Sequence, residues 1–396
     1  MTEKKININF ALPTRIVFGS GSVDALSEEV QRLKGRRILL VCDPGLVSVG
    51  LTDRIVSILD KADVHVEVFS GVSANPRDAE CLAGVDHAEL FGADVLVGLG
   101  GGSPMDAAKA IGVLLANGGR PQDWADGRQS ISKRSIPLIC IPTTAGTGSE
   151  VTPVAVITDS EKRLKIGLLG STVAPDLALV DPELTHGLPA DTTAATGMDA
   201  FTHAIEAYTC RQAHPISDAL ALAAIEKISQ YLPAAYRNGS DETAREQMLL
   251  GALLAGIAFG QADVGAVHCL AESLGGLYDI PHGMANALFL PHVMAFNARR
   301  DVGRHAIIGR AIDKRLAMVS DEMAAREGVR AICRIKNEIG LPSMKAVIQL
   351  SDEELHHLAA LAAEHPCSAS NSRPVDAGGY FKLLSEAYED RSPIPL

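Results

Sequence analysis

The chain has 396 residues, 47% of them hydrophobic and 21% charged, with a formal net charge of −12. At roughly 100–200 residues per domain, that length suits two domains. The acidic balance argues against nucleic acid or an anionic membrane surface as partner, because both require a basic patch and no basic run is present.

Taken in chain order, the first half alternates. RIVF (Arg15–Phe18) reads as a strand, SVDALSEEVQRL (Ser22–Leu33) as a helix, and RRILLVCD (Arg36–Asp43) as a strand again. VHVEVF (Val64–Phe69) follows, then a helical stretch from Pro76 to Phe91. ADVLVGLGGG (Ala93–Gly102) is an apolar strand ending in glycines, SPMDAAKAIGVLLAN (Ser103–Asn117) a helix, and SIPLICIPTT (Ser135–Thr144) another strand. Apolar strands alternating with helices imply a parallel sheet covered on both faces. Beyond about Ala190 the strand-like runs give way to Ala/Leu/Glu-rich patterns with apolar spacing of three to four, the period of helices. The expected architecture is therefore an α/β domain with a parallel sheet over residues 1–190 and an all-α domain over 191–396, with a ligand cleft between them. The start, MTEKKININFALP, has charges but no apolar core after them, so it does not read as a secretory signal. The most apolar stretch, Met248 to Gly260, falls short of the about 20 residues a membrane span needs. Seven scattered cysteines without a CxxC pair point to reduced thiols and a cytoplasmic protein.

Three loops at strand ends carry candidate cofactor chemistry. GLGGGSP (Gly98–Pro104) lies between a buried strand and a helix, where glycines admit an anion and the helix N-terminus offers free N–H groups. Ser103 is the expected N-cap, with Pro104 in the first helical position and Asp106 three residues after the cap. The alternative is a tight turn with no ligand, and the GxGxxG fingerprint is absent. Asp43 ends an early strand, where a carboxylate suits the ribose hydroxyls of NAD and repels the extra phosphate of NADP; it suits equally a turn before Pro and Gly. PTTAGTGSE (Pro142–Glu150) is rich in hydroxyls on the same sheet edge.

GMDAFTHAIEAY places Asp199 and His203 four apart, on one helix face, and VHCLAESLGGLYDIPHG adds His268 and His282. A metal site and a surface Asp–His pair both explain the first two. Three imidazoles and a carboxylate suit Fe(II), Zn(II), Co(II) or Mn(II).

GGGSPMDAAK, PTTAGTGSE, APDLALVDPELT, GMDAFTHAIEAY and HCLAESLGGLYDIPHG occur in an order, over most of the chain, that resembles the iron-containing (group III) alcohol dehydrogenases, relatives of dehydroquinate synthase and glycerol dehydrogenase. The resemblance implies that Asp199, His203, His268 and His282 hold a divalent metal, Fe(II) ahead of Zn(II). It implies an NAD site at Asp43, Asn75, Gly101, Gly102, Ser103, Asp106, Thr143, Thr144 and Lys165. It also implies an apolar substrate pocket at Val154, Phe259 and Cys367. Many members of the family carry a histidine where this chain has Glu272. That glutamate is the candidate for a proton path or for orienting a histidine ligand. NSR (Asn371–Arg373) stands where NPR is common. The implied activity is metal-dependent hydride transfer between a small primary alcohol or aldehyde and NAD(H), by a homodimer or larger homo-oligomer. The alternatives are a lyase or cyclase of the dehydroquinate synthase type, and a maleylacetate reductase-like enzyme. The second alternative is disfavoured by Asp199, the acidic ligand such reductases do not keep.

Overall fold

Side-chain burial along the strands explains the first layer. The computed structural model describes residues 8–133 and 135–393. Six strands form one sheet: β1 (Arg15–Phe18), β2 (Arg37–Val41), β3 (His65–Phe69), β4 (Val95–Gly100), β5 (Leu138–Pro142) and β8 (Leu177–Val180). Every pairing is parallel, in the order β1-β8-β5-β4-β2-β3. All residues of β4, β5 and β8 are buried, as strands covered on both faces require. Alternation assigns each strand residue its face. Leu39, Val41 and Leu96 join one core with Met105, Ala108 and Ile111, whereas Ile38, Leu40, Val95 and Val97 join another with Leu26, Val30 and Ile55. The covering helices are α1 (Leu26–Arg32), α2 (Pro44–Ser48), α3 (Leu51–Leu59), α4 (Asp78–Phe91), α5 (Gly102–Asn117) and α6 (Pro121–Trp124).

The order has one consequence for function. From β2 the chain steps to β3 on one side, then returns to β4 on the other. The crevice between β2 and β4 is thus the point where the strand order reverses, the place where open α/β sheets bind ligands at their carboxyl edge. Asp43 follows β2 and Gly100–Gly102 follow β4, so both flank that crevice.

Two features lie outside the elements expected from the sequence. An antiparallel hairpin, β6 (Val154–Asp159) with β7 (Leu164–Leu169), packs Ala155, Ile157, Ile166 and Leu168 against the core under α5. The sheet strand β8 follows it. Its Leu177 and Leu179 face the sheet's own core, and its Ala178 and Val180 face the helical core. A four-residue strand is too short to announce itself by periodicity.

From Ala190 onward the described chain is helical: α7 (Ala190–Thr209), α8 (Pro215–Arg237), α9 (Glu242–Gln261), α10 (Ala266–Tyr278), α11 (His282–Ala298), α12 (Val302–Ile312), α13 (Asp321–Glu338), α14 (Met344–Val347), α15 (Asp352–Glu364) and α16 (Ala377–Tyr388). Helix α7 is the axis of this part and is buried along nearly its whole second half. Small residues let other backbones reach it. A Cβ on Gly283 would stand 2.2 Å from Ala195 O, so only glycine lets the first turn of α11 rest on α7. Likewise the loop before β6 lies directly on α9, where a Cβ on Gly148 would stand 2.4 Å from Gly256 Cα. No single helix among the described residues is long and apolar enough to cross a membrane.

Candidate metal centre and cofactor cleft

Helix α7 sets Asp199 and His203 one turn apart, and the packing of α10 and α11 on it brings His268 and His282 to the same point. One potential ligand atom from each of the four lies within 4.8 Å of all the others. Asp199 Oδ1 is 3.8 Å from His203 Nδ1 and 3.5 Å from His282 Nε2. Three of the residues are buried; the side chain of His282 keeps 31% of its exposure, which marks the open side of the centre.

Buried partners hold the group. Glu206, three residues past His203 on the same helix, accepts a 2.6 Å hydrogen bond from His268 Nδ1. It also accepts the N–H groups of Gly265 and Val267 at 2.9 and 2.8 Å. One carboxylate therefore caps the electropositive start of α10 and fixes the His268 tautomer, leaving Nε2 toward the ligand cluster. Asn286, fully buried one turn into α11, donates Nδ2 to Asp199 Oδ1 at 2.7 Å. Phe259 of α9 lies flat on His203, with ring centroids 4.2 Å apart.

The electrostatics suit a cation. Burial lowers the pKa of His203 to about 3 and also lowers that of His282, so both rings are neutral donors. Burial alone would raise the pKa of Asp199, but the three histidines hold it below the ordinary value, and it is a carboxylate. His203 Nδ1 is buried without a partner, and converging lone pairs with nothing between them are costly. A divalent transition ion satisfies this donor set.

Glu272 lies one turn beyond His268 on α10. It bonds His365 Nε2 at 3.0 Å rather than any of the four clustered residues, and the carboxylate that bonds a clustered histidine is Glu206. Burial would raise the pKa of Glu272, but His365, then His282 and His268, bring it down to about 2. On the cleft's other wall, burial lowers the pKa of Lys165 while the charge of Glu272 opposes the shift. Lys165 Nζ donates to Asn75 Oδ1 at 2.6 Å, and Asn75 Nδ2 donates to Asp279 Oδ1 at 2.6 Å, so the two walls meet three residues before His282.

At the sheet edge, Gly100 has φ 145°, and the N-cap of α5 is Gly101 rather than Ser103. The tight glycine turn starts the helix early. Ser103, already helical, donates its hydroxyl to Ala74 O at 2.6 Å. No side chain caps α5, which leaves its first N–H groups free for an anion. Thr143 donates its backbone N–H to Gly100 O at 2.9 Å, and the buried Thr144 Oγ1 has no partner. Asp106 turns inward, accepting Ser149 Oγ at 2.6 Å and Val156 N–H at 3.1 Å. Asp43 caps the short α2 by accepting Leu46 N–H at 3.1 Å.

The three expected pocket residues lie in different settings. Phe259 is stacked on His203. Cys367 donates its backbone N–H to His365 Nδ1 at 3.3 Å, and burial pushes its thiol up to about 12. Val154 begins β6, and its carbonyl accepts Lys109 Nζ at 2.7 Å. In the NSR segment, Asn371 exchanges hydrogen bonds with Asn297 at 2.9 Å in each direction and accepts Ala266 N–H, and Arg373 stacks on Phe296 at 3.8 Å.

The family described as iron-containing alcohol dehydrogenase matches residues 13–182, and its C-terminal counterpart matches residues 193–388. This chain belongs to the iron-containing alcohol dehydrogenase family. Among its relatives, the NAD-dependent methanol dehydrogenase of Bacillus methanolicus is 39% identical over 96% of this chain and 99% of its own length. The 1,3-propanediol dehydrogenase of Klebsiella pneumoniae is 36% identical over 96% of this chain and 98% of its own. The structure of an alcohol dehydrogenase from Oenococcus oeni superposes with a TM-score of 0.93 at 33% identity, covering 96% of this chain and all of that one. The enzyme is therefore an oxidoreductase acting between alcohols and aldehydes. Glu206, Asn286 and His365 were not singled out in its sequence. Glu206 was legible in principle, sharing the α7 face of Asp199 and His203. His365 has no local signal at all.

Proposed function

We propose that this enzyme oxidises small primary alcohols to aldehydes with NAD, and reduces aldehydes with NADH, on an iron ion held by Asp199, His203, His268 and His282. The observation that carries the reading is the meeting of the four-residue donor cluster with the uncapped start of α5, across the Asn75–Asp279 contact. When bound, the metal supplies Lewis acidity at the alcohol oxygen and NAD accepts the hydride.

The chain's own residues do the positioning. Gly101, Gly102 and Ser103 offer backbone N–H groups to the pyrophosphate, with Thr143 and Thr144 beside them. Asp43 keeps one carboxylate oxygen beyond its cap for the ribose hydroxyls. Asn75 and Lys165 form the wall nearest the metal centre, and Asp106 supports the loop through Ser149 rather than touching the cofactor. The reading assigns Phe259, Cys367 and Val154 as apolar contacts that keep water from the reacting carbon. The same reading includes a cytoplasmic homodimer or larger assembly, to be sized by light scattering.

The test is NADH formation with a panel of primary alcohols, alongside metal analysis of the purified protein and a comparison of NAD with NADP. Chelation is expected to abolish turnover, and added Fe(II) to restore it. Full activity in the metal-free protein would overturn the reading.

A further inference from the structure

The Glu272–His365 pair has no part in holding the metal centre, yet it is built into the wall beside it. Glu272 sits one turn past His268 on the same face of α10, and its charge favours the protonated forms of His203, His268, His282 and Lys165. Its side chain keeps 16% of its exposure, so it borders the cleft without being solvated freely. His365 arrives from the end of α15, far along the chain, and the fold fixes both faces of its ring. Nε2 meets Glu272 Oε2 at 3.0 Å, while Nδ1 meets the Cys367 N–H at 3.3 Å and Cys269 Sγ at 3.6 Å. Glu272 is an ionised carboxylate and can only accept, so His365 Nε2 donates to its Oε2. The histidine thus uses up Oε2 and locks the rotamer. Oε1 has no hydrogen-bond donor among the described residues.

Oε1 therefore keeps its acceptor capacity for a group entering the cleft, and a ligand that brings a donor can use it. Phe259 and Cys367, the pocket's other side chains near the metal centre, offer no acceptor of comparable strength. We infer that Glu272, positioned by His365, is a specificity-determining acceptor that selects alcohols bearing a second hydrogen-bond donor, a hydroxyl or an ammonium group, and rejects those bearing an anion. The inference rests on the reading of this cleft as an alcohol-oxidising site. A pocket built to bond a polar group discriminates strongly against an analogue that lacks it, because the acceptor is then left bare.

The experiment compares isosteric substrates. Ethylene glycol and n-propanol differ only by hydroxyl against methyl; ethanolamine supplies the ammonium and glycolate the anion. In the wild-type enzyme kcat/KM for ethylene glycol is expected to exceed that for n-propanol by about 10-fold or more. Glycolate is expected to be the poorest of the four. Glu272→Leu should bring the glycol-to-propanol ratio to about one, chiefly through KM for the glycol. Glu272→Gln, which keeps shape and an acceptor but loses the charge, separates the two donor types: ethanolamine loses most and ethylene glycol little. His365→Phe should lower the ratio without removing the carboxylate. Metal content measured on each variant separates selection from damage to the centre. A ratio unchanged in Glu272→Leu, with metal retained, overturns the inference. If the wild-type protein oxidises none of these alcohols, the reading of the cleft falls. Calorimetric binding of ethylene glycol, about 10-fold weaker in Glu272→Leu, would then still support this assignment, and equal binding would end it.

Discussion

The two walls of the cleft are built by different means. On the helical side, function is carried by side chains, each fastened by another: Glu206 holds His268, Asn286 holds Asp199, and Phe259 covers His203. On the sheet side, the proposed cofactor wall is mainly backbone, a glycine turn and a helix start with no side-chain cap, with one threonine hydroxyl beside them. The difference follows from what each wall must hold. A divalent ion demands a fixed number of lone pairs at short range, which only locked side chains supply. A pyrophosphate spreads its charge over several oxygens, which a row of N–H groups matches at little conformational cost.

The sharpest way to break this contrast is to remove the one carboxylate of the four-residue donor cluster. Asp199→Asn is expected to empty the metal centre and lower kcat/KM by about 1000-fold or more, as the loss of several kcal/mol of Lewis-acid stabilisation implies. Retained metal and activity would show that the helical wall is not what we describe. Next in size, Glu206→Gln leaves all four ligands in place but loosens His268. Metal affinity, read by chelator competition, should fall by roughly 10- to 100-fold, and an unchanged affinity would reduce Glu206 to a helix cap.

A third test addresses the seam beneath the sheet-side loops. Burial raises the pKa of Glu150 from 4.5 to about 7, against the opposing pull of Lys109. The folded protein therefore binds more protons than the unfolded chain between pH 4.5 and 7. Stability on this account is full below about 4.5, declines as pH rises through that window and levels off above it. The upper bound on the change is roughly 3 kcal/mol. Glu150→Gln should flatten that part of the profile of melting temperature against pH; an unaltered slope would show that Glu150 titrates normally. The smallest effect is expected where backbone does most of the work. Asp43→Ser should cut the preference for NAD over NADP by about tenfold, some 1.4 kcal/mol, and leave the binding of the common pyrophosphate nearly untouched. A collapse of all nucleotide binding would mean that side chains carry this wall too.

Local reasoning succeeded where the function is local. The Asp199–His203 pair needs only the helix period, and the glycine turn needs only a strand before it and a helix after it. It failed where two distant segments decide together. The cap of α5 moved from Ser103 to Gly101 because Ala74 takes the serine hydroxyl. The hydrogen bonds of Asp106 to Ser149 and Val156 come from the loop and hairpin that the sequence pattern did not announce.

By itself, then, the sequence determined a parallel sheet followed by helices, an anion-ready turn at a strand end, and half of a metal centre, since each depends on residues a few positions apart. Tertiary structure alone decided that His268 and His282 come within reach of Asp199 and His203, that Glu206 rather than Glu272 bonds His268, and that His365 bonds Glu272. Those outcomes depend on how closely α10 and α11 can lie on α7 and on where the chain after α15 returns. Such distances are set by the packing of small residues such as Gly283 against a neighbouring backbone, which no local pattern of hydrophobicity encodes.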